Sequence, residues 1–512
     1  MQISGKNLIG KQLSASGTTI FQAKDPAQNA DLAPFFTEAT VAEVDQAVQL
    51  AESAFIAYKS KSLEERAAFL EAIGSEILAL GDTLIQRCMR ETALPEGRLL
   101  GERGRTVNQL NLFAELVRDG RWQGIRIDRA EPNRQPVPKP DIRQMKVPLG
   151  PVGIFGASNF PLAFSVAGGD TTSALAAGCP VVVKGHPLHP GTSELVGKAI
   201  LKAAEKTGMP EGVFSLVQGP SSAVGMAIVQ HPLITAIGFT GSFRGGKAIF
   251  DAANQRPVPI PVFAEMGSTN PVFILPGALQ ERGPQIAEGL AASVSLGAGQ
   301  FCTNPGLVIT QASAASTAFV QELSRQIGQQ PVAVMLSESI RDHYNSGTES
   351  LSHAPGVTAL TPEEPAASPT LAQAQVFTTD AGQIMQQPQL QEEVFGPSTL
   401  HVLSQDKAQL LDLARQLSGH LTATIHGTPT DLEAYPELLP ILERKVGRLI
   451  FNGYPTGVEV SHAMVHGGPF PATTAPQSTS VGTAAIFRFL RPVCYQGFPE
   501  SALPQAIRRC AD

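Results

Sequence analysis

Residues 236–250, AIGFTGSFRGGKAIF, combine a short apolar run, a glycine-rich turn and a segment with helical spacing. A strand followed by such a turn and a helix is the βα unit of parallel sheets. Backbone N–H groups at the start of the helix suit a phosphate or pyrophosphate, although a plain βα turn has the same pattern. The stretch therefore predicts an α/β fold and offers one candidate ligand site.

Similar apolar runs recur through the middle of the chain, each bounded by glycine or proline. They are Val152–Phe155, Val181–Val183, Ala236–Phe239, Val272–Leu275 and Leu307–Thr310. Helical stretches lie between several of them, and buried parallel strands joined by helical crossovers have this pattern. We therefore predict an α/β protein with at least one doubly wound sheet.

Helices are predicted before these strands. Thr40 with Glu43, and Ser62 with Glu65, match the capping boxes that begin helices. Residues 84–118 also have helical spacing. Short strands and turns are expected before the first helix, over residues 1–35.

Two other regions have the composition of exposed structure. A proline-rich stretch over residues 132–140 predicts a loop or arm, and residues 142–147 alternate like a strand. Residues 353–375 are rich in Pro, Ala, Thr and Glu, so we expect a surface loop there. No internal repeat is found.

The bulk composition excludes several classes of protein. The chain has 512 residues, 43% hydrophobic and 16% charged, with a formal net charge of -7. Lys and Arg are scattered, so no basic face for nucleic acid is predicted. No apolar stretch is long enough for a transmembrane helix, and residues 1–6 lack a signal-peptide core. We therefore expect a cytoplasmic protein that binds neither nucleic acid nor membrane.

The cysteines are few and widely spaced. They are Cys88, Cys179, Cys302, Cys494 and Cys510. The chain has no CxxC pair and no cluster of Cys and His along the sequence. We therefore predict neither a disulfide framework nor a metal site. This cysteine usage is typical of a reducing compartment with one special thiol.

Cys302 is the candidate for that thiol. It lies in GAGQFCTNPG, residues 297–306, where small residues give a substrate access. The alternative is a buried structural cysteine. Glu265, between an apolar segment and a turn, is a candidate general base, or else a solvated loop carboxylate.

Two polar residues follow predicted strands. Lys184 ends the run that begins at Val181, and ligands of open parallel sheets bind beyond the carboxyl ends of strands. Asn159 follows Val152–Phe155, and its amide can donate to an oxyanion. A surface lysine and a turn asparagine are the alternatives.

Five motifs occur in one order along the chain. They are Asn-Phe-Pro at 159–161, Phe-Thr-Gly-Ser at 239–242, Glu-Met-Gly at 265–267, Gly-Gln-Phe-Cys-Thr at 299–303 and Glu-Val-Phe-Gly-Pro at 393–397. In this order the chain resembles the aldehyde dehydrogenase superfamily, from about residue 8 to residue 504. Each motif alone is weak evidence, but together they are very specific.

The resemblance implies the roles of three catalytic residues. Cys302 corresponds to the nucleophile that attacks the aldehyde and carries the acyl group as a thioester. The side chain of Asn159 and the backbone N–H of Cys302 are expected to hold the oxyanion. Glu265 corresponds to the residue that activates water for hydrolysis of the thioester.

The resemblance also implies an NAD(P) site. Lys184 is expected at the adenosine ribose and Glu393 at the nicotinamide ribose, with Phe395 beside it. The pyrophosphate is expected near the turn residues Gly241, Ser242 and Gly246.

The family fold implies three parts and an assembly. A Rossmann-type cofactor domain is expected over residues 1–125 and 147–263, and an α/β catalytic domain over 264–470. A small β oligomerisation arm is expected over 126–146, with the C-terminal region 484–512, whose strand is expected near 484–494. Since such strands leave exposed edges if unpaired, we expect a homo-oligomer, a dimer or a tetramer.

Some positions depart from the common family pattern. Pro187 stands where many NAD-specific members have a Glu that binds the ribose hydroxyls. Its absence removes repulsion against a 2′-phosphate, so NADP is favoured over NAD. Gly168 and Gly169 replace a common Trp-Lys pair, while Leu307 and Gln477 stand where many members have Arg.

The chain resembles one branch more specifically, that of the 2-oxoglutarate semialdehyde and NADP-dependent fatty-aldehyde dehydrogenases. This resemblance rests on Lys184-Gly-His-Pro, Cys302-Thr-Asn-Pro-Gly and Asn452-Gly-Tyr-Pro-Thr-Gly. The first activity converts 2,5-dioxopentanoate to 2-oxoglutarate and needs a cationic or amide group for the distal carboxylate. A long-chain aldehyde would need an apolar funnel, so long-chain or broad specificity stays the alternative.

Other activities remain as alternatives of different classes. Acyl transfer to coenzyme A would not need a base such as Glu265, and a catalytically silent relative would be expected to lose Cys302 or Asn159. A cysteine hydrolase would need a paired histidine. The candidates stand in no recognisable Cys/His signature; they are His186, His189, His231, His462 and His466.

Overall fold

A computed structural model describes residues 2–362 and 368–508. Within them the α-helices are α1 (Val41–Lys59), α2 (Leu63–Ala79), α3 (Gly81–Thr92), α4 (Glu96–Asp119), α5 (Gly169–Ala177), α6 (Pro190–Lys206), α7 (Ser222–Gln230), α8 (Phe243–Asn254), α9 (Pro276–Ser295), α10 (Ala314–Gly328), α11 (Glu338–His353), α12 (Ala381–Gln386), α13 (Lys407–Gln416), α14 (Pro429–Ala434) and α15 (Leu438–Glu443).

The β-strands of the same residues form several sheets. They are β1 (Asn7–Ile9), β2 (Gln12–Ser14), β3 (Ile20–Asp25), β4 (Ala30–Thr37), β5 (Arg126–Asp128), β6 (Ile142–Pro148), β7 (Val152–Phe155), β8 (Val181–Lys184), β9 (Phe214–Val217), β10 (Ala236–Thr240), β11 (Val262–Glu265), β12 (Val272–Ile274), β13 (Leu307–Gln311), β14 (Ala333–Val334), β15 (Thr358–Ala359), β16 (Leu371–Ala372), β17 (Gln375–Asp380), β18 (Ser398–Ser404), β19 (Thr422–His426), β20 (Arg448–Phe451) and β21 (Leu490–Gln496).

The first large sheet contains three of the predicted buried strands, β7, β8 and β10. Its order in the described residues is β11-β10-β7-β8-β9-β1-β2, with β7 to β11 parallel and β1 antiparallel to β9. Apolar side chains of its strands pack on α2, α5 and α6 on one face and on α1, α7 and α8 on the other. The prediction of a doubly wound parallel sheet is confirmed.

The second large sheet contains the other two predicted strands, β12 and β13. Its order in the described part is β15-β17-β18-β13-β12-β19-β20, parallel except for β15. The prediction of a loop over residues 353–375 is wrong where β15, β16 and the first residue of β17 occur. Residues 363–367 of that stretch lie outside the described residues.

A small third sheet pairs the arm with the C-terminal region. Its order among the described residues is β21-β6-β5, and both pairings are antiparallel. The predicted strand near 484–494 begins only at Leu490, because residues 483–489 form a 3₁₀ helix. Ile486 and Phe489 of that helix are buried in the first core. Residues 509–512, with Cys510, lie outside the described residues.

The N-terminal helices begin where the capping boxes predicted. The side chains of Thr40 and Ser62 both accept from the backbone N–H three residues later, and each Glu bonds back. The predicted helical stretch over 84–118 is instead two helices, α3 and α4, since Ala93 adopts φ 54° and ends the first. None of the described helices combines the length and the hydropathy that crossing a bilayer requires.

One C-terminal segment crosses from the second sheet back to the end of β11. The backbone N–H of Met266 donates to the carbonyl of Ala472 at 2.8 Å, and Glu265 forms a β-bridge with Thr473. This segment, residues 466–482, therefore lies against the chain at the point where the first sheet ends and the second begins.

Candidate active site

Cys302 lies in a tight loop between α9 and β13, and its side chain is partly buried. The residues Gly297, Ala298 and Gly299 before it all have positive φ. A Cβ on Gly299 would collide with the carbonyl group of Gly396, so only glycine fits there. The 393–397 segment therefore packs directly on the loop of Cys302. In the described part of the chain the backbone N–H of Cys302 has no acceptor.

The side chain of Asn270 fixes the backbone of this loop. Its buried Nδ2 donates to the carbonyls of Cys302 and Asn304, each at 2.9 Å. Asn270 itself adopts φ 47°, a conformation that asparagine tolerates better than most residues. Asn270 is not part of any of the five motifs, but it lies three residues after the Glu-Met-Gly motif.

Glu265 is the last residue of β11 and is almost fully buried. Its Oε2 accepts from the Ser480 hydroxyl at 2.6 Å, and its Oε1 lies 2.9 Å from His466 Nε2. Burial opposes ionisation of Glu265, but the electrostatic influence of His466 and the hydrogen bonds from His466 and Ser480 outweigh it and lower the pKa of Glu265. The carboxylate form of Glu265 is thereby favoured.

His466 lies between Cys302 and Glu265, and no sequence motif singled it out for this place. Its Nε2 lies 3.4 Å from the Sγ of Cys302, and its side chain is fully buried. The donor atoms of Cys302, Glu265 and His466 all lie within 4.8 Å of one another. His466 was one of the histidines that stand in no recognisable Cys/His signature, because it is 164 residues away from Cys302 along the chain.

The thiol of Cys302 is neutral in this arrangement. Burial raises its pKa well above the usual value, and the negative charges of Glu265 and Glu393 raise it further, while Arg105 opposes them. A thiol in this state needs a base before it can act as a nucleophile. His466 and Glu265 are the groups within reach.

Asn159 lies beside the Cys302 loop, as its candidate role requires. Its Nδ2 donates to the carbonyl of Gln300 at 3.0 Å, and its own carbonyl accepts from Arg98 at 2.7 Å. The second hydrogen on Nδ2 has no partner in the described part of the chain. One amide hydrogen of Asn159 thus remains free beside the loop that carries Cys302.

Lys184 and the Gly241 turn lie at the carboxyl ends of β8 and β10, two parallel strands of the first sheet. Burial lowers the pKa of Lys184 to about 8, and within the described residues its ammonium group forms no hydrogen bond or ion pair. The Ser242 hydroxyl caps α8 by accepting from Gly245 N–H at 3.2 Å. An unpaired cation and a helix start beside it fit a dinucleotide with a ribose and phosphates.

The 393–397 segment contacts the residues that follow Glu265. Glu393 and Phe395 line a cavity with Ser268 and Phe301, and burial raises the pKa of Glu393 to about 7. Its Oε1 accepts from the backbone N–H of Ser268 at 3.3 Å. A Cβ on Gly246 would lie 2.6 Å from Sδ of Met266, so the α8 turn packs against the residue after Glu265. Cys302, Glu265, Asn159 and Glu393 therefore lie near one another where the two large sheets meet. Lys184 lies further along the first sheet, at the end of β8, two strands from β10.

A sequence profile described as the aldehyde dehydrogenase family matches residues 13–469. The chain belongs to the aldehyde dehydrogenase family. With that membership it is an NAD(P)-dependent aldehyde oxidoreductase, and the residues around Lys184 and Glu393 fit such a cofactor.

Two curated relatives resemble the chain over nearly its full length. Alpha-ketoglutaric semialdehyde dehydrogenase 2 of Azospirillum brasilense is 52% identical over 509 residues, 99% of this chain and 97% of that protein. Alpha-ketoglutaric semialdehyde dehydrogenase of Acinetobacter baylyi is 46% identical over 506 residues, 99% and 96% of the two chains.

The fold is that of solved aldehyde dehydrogenases. A crystal structure of betaine aldehyde dehydrogenase from Staphylococcus aureus in complex with NAD+ superposes with a TM-score of 0.82 at 20% identity. The match covers 100% of this chain and 97% of that one.

The structure shows where three residues that depart from the common aldehyde dehydrogenase pattern lie. Leu307 is a buried core residue of β13, and Gln477 is exposed on the 466–482 segment. A Cβ on Gly169 would lie 2.9 Å from the carbonyl oxygen of Ser480, the residue that binds Glu265. Gly169 thus allows the close approach that places Ser480, whereas nothing in the structure explains Gln477.

Proposed function

We propose that the protein oxidises 2,5-dioxopentanoate, the semialdehyde of 2-oxoglutarate, to 2-oxoglutarate. The observation that carries this proposal is the near full-length identity of 52% and 46% to two alpha-ketoglutaric semialdehyde dehydrogenases. Lys184-Gly-His-Pro and the other branch motifs support the same substrate. Oxidation of long-chain aldehydes is the second candidate, favoured only by the apolar side chains near Cys302, such as Phe160 and Met464.

Cys302 is the proposed nucleophile. Its thiol proton passes to the Glu265–His466 pair, whose His466 Nε2 lies 3.4 Å from Sγ. His466 Nδ1 is buried with no partner among the described residues, which favours the tautomer with its proton on Nε2. In that tautomer Glu265 accepts the thiol proton while Nε2–H stabilises the thiolate. The thiolate then bonds to the aldehyde carbon, and the carbonyl oxygen becomes an oxyanion.

Two donors are proposed to hold that oxyanion. They are the free hydrogen on Asn159 Nδ2 and the backbone N–H of Cys302, neither of which has another partner in the described residues. Loss of one such donor typically costs about 2.7–4 kcal/mol of transition-state stabilisation. NAD(P)+, when bound, accepts the hydride that leaves the former aldehyde carbon. Cys302 then carries the acyl group as a thioester.

Glu265 is proposed to complete the reaction. Its lowered pKa favours release of the thiol proton to solvent, which restores the carboxylate. The carboxylate then removes a proton from a water that attacks the thioester carbon. The carbon–sulfur bond then breaks, which releases the carboxylate and restores Cys302. Because Glu265 is placed for this step, hydrolysis is favoured over acyl transfer to coenzyme A.

The cofactor is proposed to lie along the first sheet, with Lys184 at the adenosine ribose and Glu393 and Phe395 at the nicotinamide end. The turn residues Gly241, Ser242 and Gly246 are assigned to the pyrophosphate. Pro187 supports NADP, since no carboxylate at that position repels a 2′-phosphate. Glu38 supports NAD instead, because it places a negative charge near Lys184. Its Oε1 accepts from Ser221 N–H at 2.9 Å. We therefore propose that both cofactors are used, with NADP preferred.

We also propose the domain roles, the assembly and the location of the protein. Residues 1–125 and 147–263 form the cofactor domain, and residues 264–470 form the catalytic domain. The edge strand β21 supports a dimer or tetramer built through the arm, 126–146, and the region 484–512. A cytoplasmic location is supported by the described cysteines, which are all free.

Initial rates at the absorbance of reduced nicotinamide test the substrate. They compare 2,5-dioxopentanoate, a short aliphatic aldehyde and a long one, each with NAD and with NADP, in wild type and Cys302→Ala. The proposal expects the highest kcat/KM for the dioxo acid and no activity in the variant. A higher kcat/KM for the long aldehyde would favour the second candidate.

A further inference from the structure

Arg105 is a half-buried cation near the active site, and it forms no ion pair within residues 2–362 and 368–508. It lies on α4, and its Nε and Nη2 are inaccessible to solvent and have no hydrogen-bond partner among the described residues. The guanidinium group packs on the ring of Phe164, 4.9 Å from the ring centroid. Leaving such donors unpaired is costly, so the arrangement indicates a binding partner that is bound only part of the time.

Two neighbouring arginines have polar partners, although Nη1 of Arg98 is also buried without one among the described residues. Arg98, two turns earlier on α4, donates to the carbonyl of Asn159, and Arg488 pairs with Asp170 at 2.7 Å. The nearest acid on the helix, Glu102, is 4.0 Å from Arg98, and its Oε1 accepts from the backbone N–H groups of residues 162 and 163. Glu102 therefore acts on Arg105 through its charge but forms no hydrogen bond with it.

The contacts of Phe164 connect Arg105 with the reacting thiol. The ring of Phe164 lies 6.1 Å from the imidazole of His466, measured between centroids, and His466 Nε2 lies 3.4 Å from Cys302 Sγ. Phe164 belongs to a small apolar cluster beside this path, whose other members include Phe160, Val458, Val460, Val481 and Met464. A short carbon chain held at Cys302 can follow this apolar surface toward the guanidinium group.

The charges of the site explain why an acidic substrate needs this cation. Glu265 and Glu393 lie at the reaction centre, Glu459 is exposed nearby, and the whole chain carries a formal net charge of -7. An anionic aldehyde meets repulsion from these carboxylates unless a cation compensates it. The planar guanidinium fork matches a carboxylate and can donate two parallel hydrogen bonds.

We propose that Arg105 binds the carboxylate at the far end of the aldehyde substrate and so selects a short, acidic aldehyde. The inference rests on the proposed function, since it needs a substrate with an aldehyde at one end and a carboxylate at the other. It assigns to α4, outside the recognised motifs, the cationic group that such a substrate requires.

The test compares 2,5-dioxopentanoate with pentanal, a neutral aldehyde with the same number of carbons. In Arg105→Met, which keeps an apolar stem on Phe164, the ratio of kcat/KM for the dioxo acid over pentanal should fall about 10- to 100-fold. The loss should appear mainly in KM for the dioxo acid. Arg105→Lys, which keeps the charge but not the fork, should lie between wild type and Arg105→Met.

A matched control and a measurement without turnover complete the experiment. Arg103→Met removes a charge from the same helix, where Arg103 bonds the carbonyl of Gly81, and should keep the wild-type ratio. The product 2-oxoglutarate should slow alkylation of Cys302 by iodoacetamide in wild type, but much less in Arg105→Met. This second measurement applies to any folded variant, whatever its activity.

The outcomes separate the two proposals. If wild type does not prefer the dioxo acid over pentanal, the proposed substrate is wrong and the role of Arg105 falls with it. If wild type has the preference and Arg105→Met keeps both the ratio and the protection, only the role of Arg105 is overturned. A fall in the ratio with loss of protection supports both.

Discussion

His466 Nε2 lies 3.4 Å from the thiol of Cys302 and 2.9 Å from the carboxylate of Glu265. One imidazole nitrogen therefore faces both the proposed nucleophile and the proposed base. The thiol is buried with a raised pKa, whereas the pKa of the carboxylate is lowered. A proton on the thiol thus has a short path to a group prepared to accept it.

Replacement of His466 should slow formation of the thiolate. In His466→Gln, kcat/KM should fall about 10²- to 10⁴-fold, the usual contribution of a positioned acid–base group. The rate of alkylation of Cys302 by iodoacetamide at neutral pH should fall as well, since it reports the thiolate population. His462→Gln, which changes an exposed histidine on the preceding segment, is the control and should keep both rates. Unchanged alkylation in His466→Gln would show that His466 only fills space.

Replacement of Glu265 should separate the two halves of the reaction. In Glu265→Gln, rapid mixing should show a slower burst of about one equivalent of reduced cofactor, because the thiol proton loses its acceptor. The following turnover should be slowed about 100-fold or more, because the thioester no longer meets an activated water. Mass spectrometry of the quenched enzyme should find the acyl group on Cys302. A burst at the wild-type rate would show that Glu265 acts only in hydrolysis, and a steady-state rate equal to the burst rate would contradict its role in hydrolysis.

Binding of the cofactor should depend on pH through Glu393. Its pKa is raised to about 7, so the carboxylate that accepts ribose hydroxyl bonds forms as pH rises from 6 to 8. The KM for the cofactor should fall over that range, and Glu393→Gln should remove the dependence. The stability of the fold should change in the opposite direction and fall as pH rises. A carboxyl group whose pKa is raised in the folded state contributes its full stabilisation below the usual pKa of 4.5, and this contribution is lost as pH rises through 7. Thermal melts of wild type and Glu393→Gln at pH 5 and pH 8 provide the check.

Replacement of Glu38 should change the choice between cofactors. Glu38→Gln keeps an oxygen that can accept from Ser221 N–H but removes the charge near Lys184. The ratio of kcat/KM for NADP over NAD should rise about two- to fivefold, as expected for a partly exposed charge. Glu52→Gln on the outer face of α1 is a control for charge alone. An unchanged ratio would mean that Glu38 does not act on the 2′-phosphate.

The fold and the motif residues could be predicted because their signals are local. The strands β7, β8, β10 and β13 came from short apolar runs bounded by glycine or proline, and the helix starts came from capping boxes. Cys302 and Glu265 could be selected because each lies in a motif of adjacent residues. The strand expected from residue 484 was wrong because the burial of Ile486 and Phe489 against the first core outweighs their tendency to extend.

By itself the sequence determined the α/β class, the positions of the buried strands along the chain, the family resemblance and the residues of the five motifs. All of these depend on neighbours along the chain. Only the tertiary structure decided that His466 lies between Cys302 and Glu265, residues 164 and 201 positions away. It also decided that Arg105 stays unpaired beside Phe164 and that Glu38 acts on Lys184. His466, Arg105 and Glu38 lie on three separate parts of the chain: the 466–482 segment, α4 and the end of β4. Periodicity and spacing along the chain do not encode contacts between such distant parts.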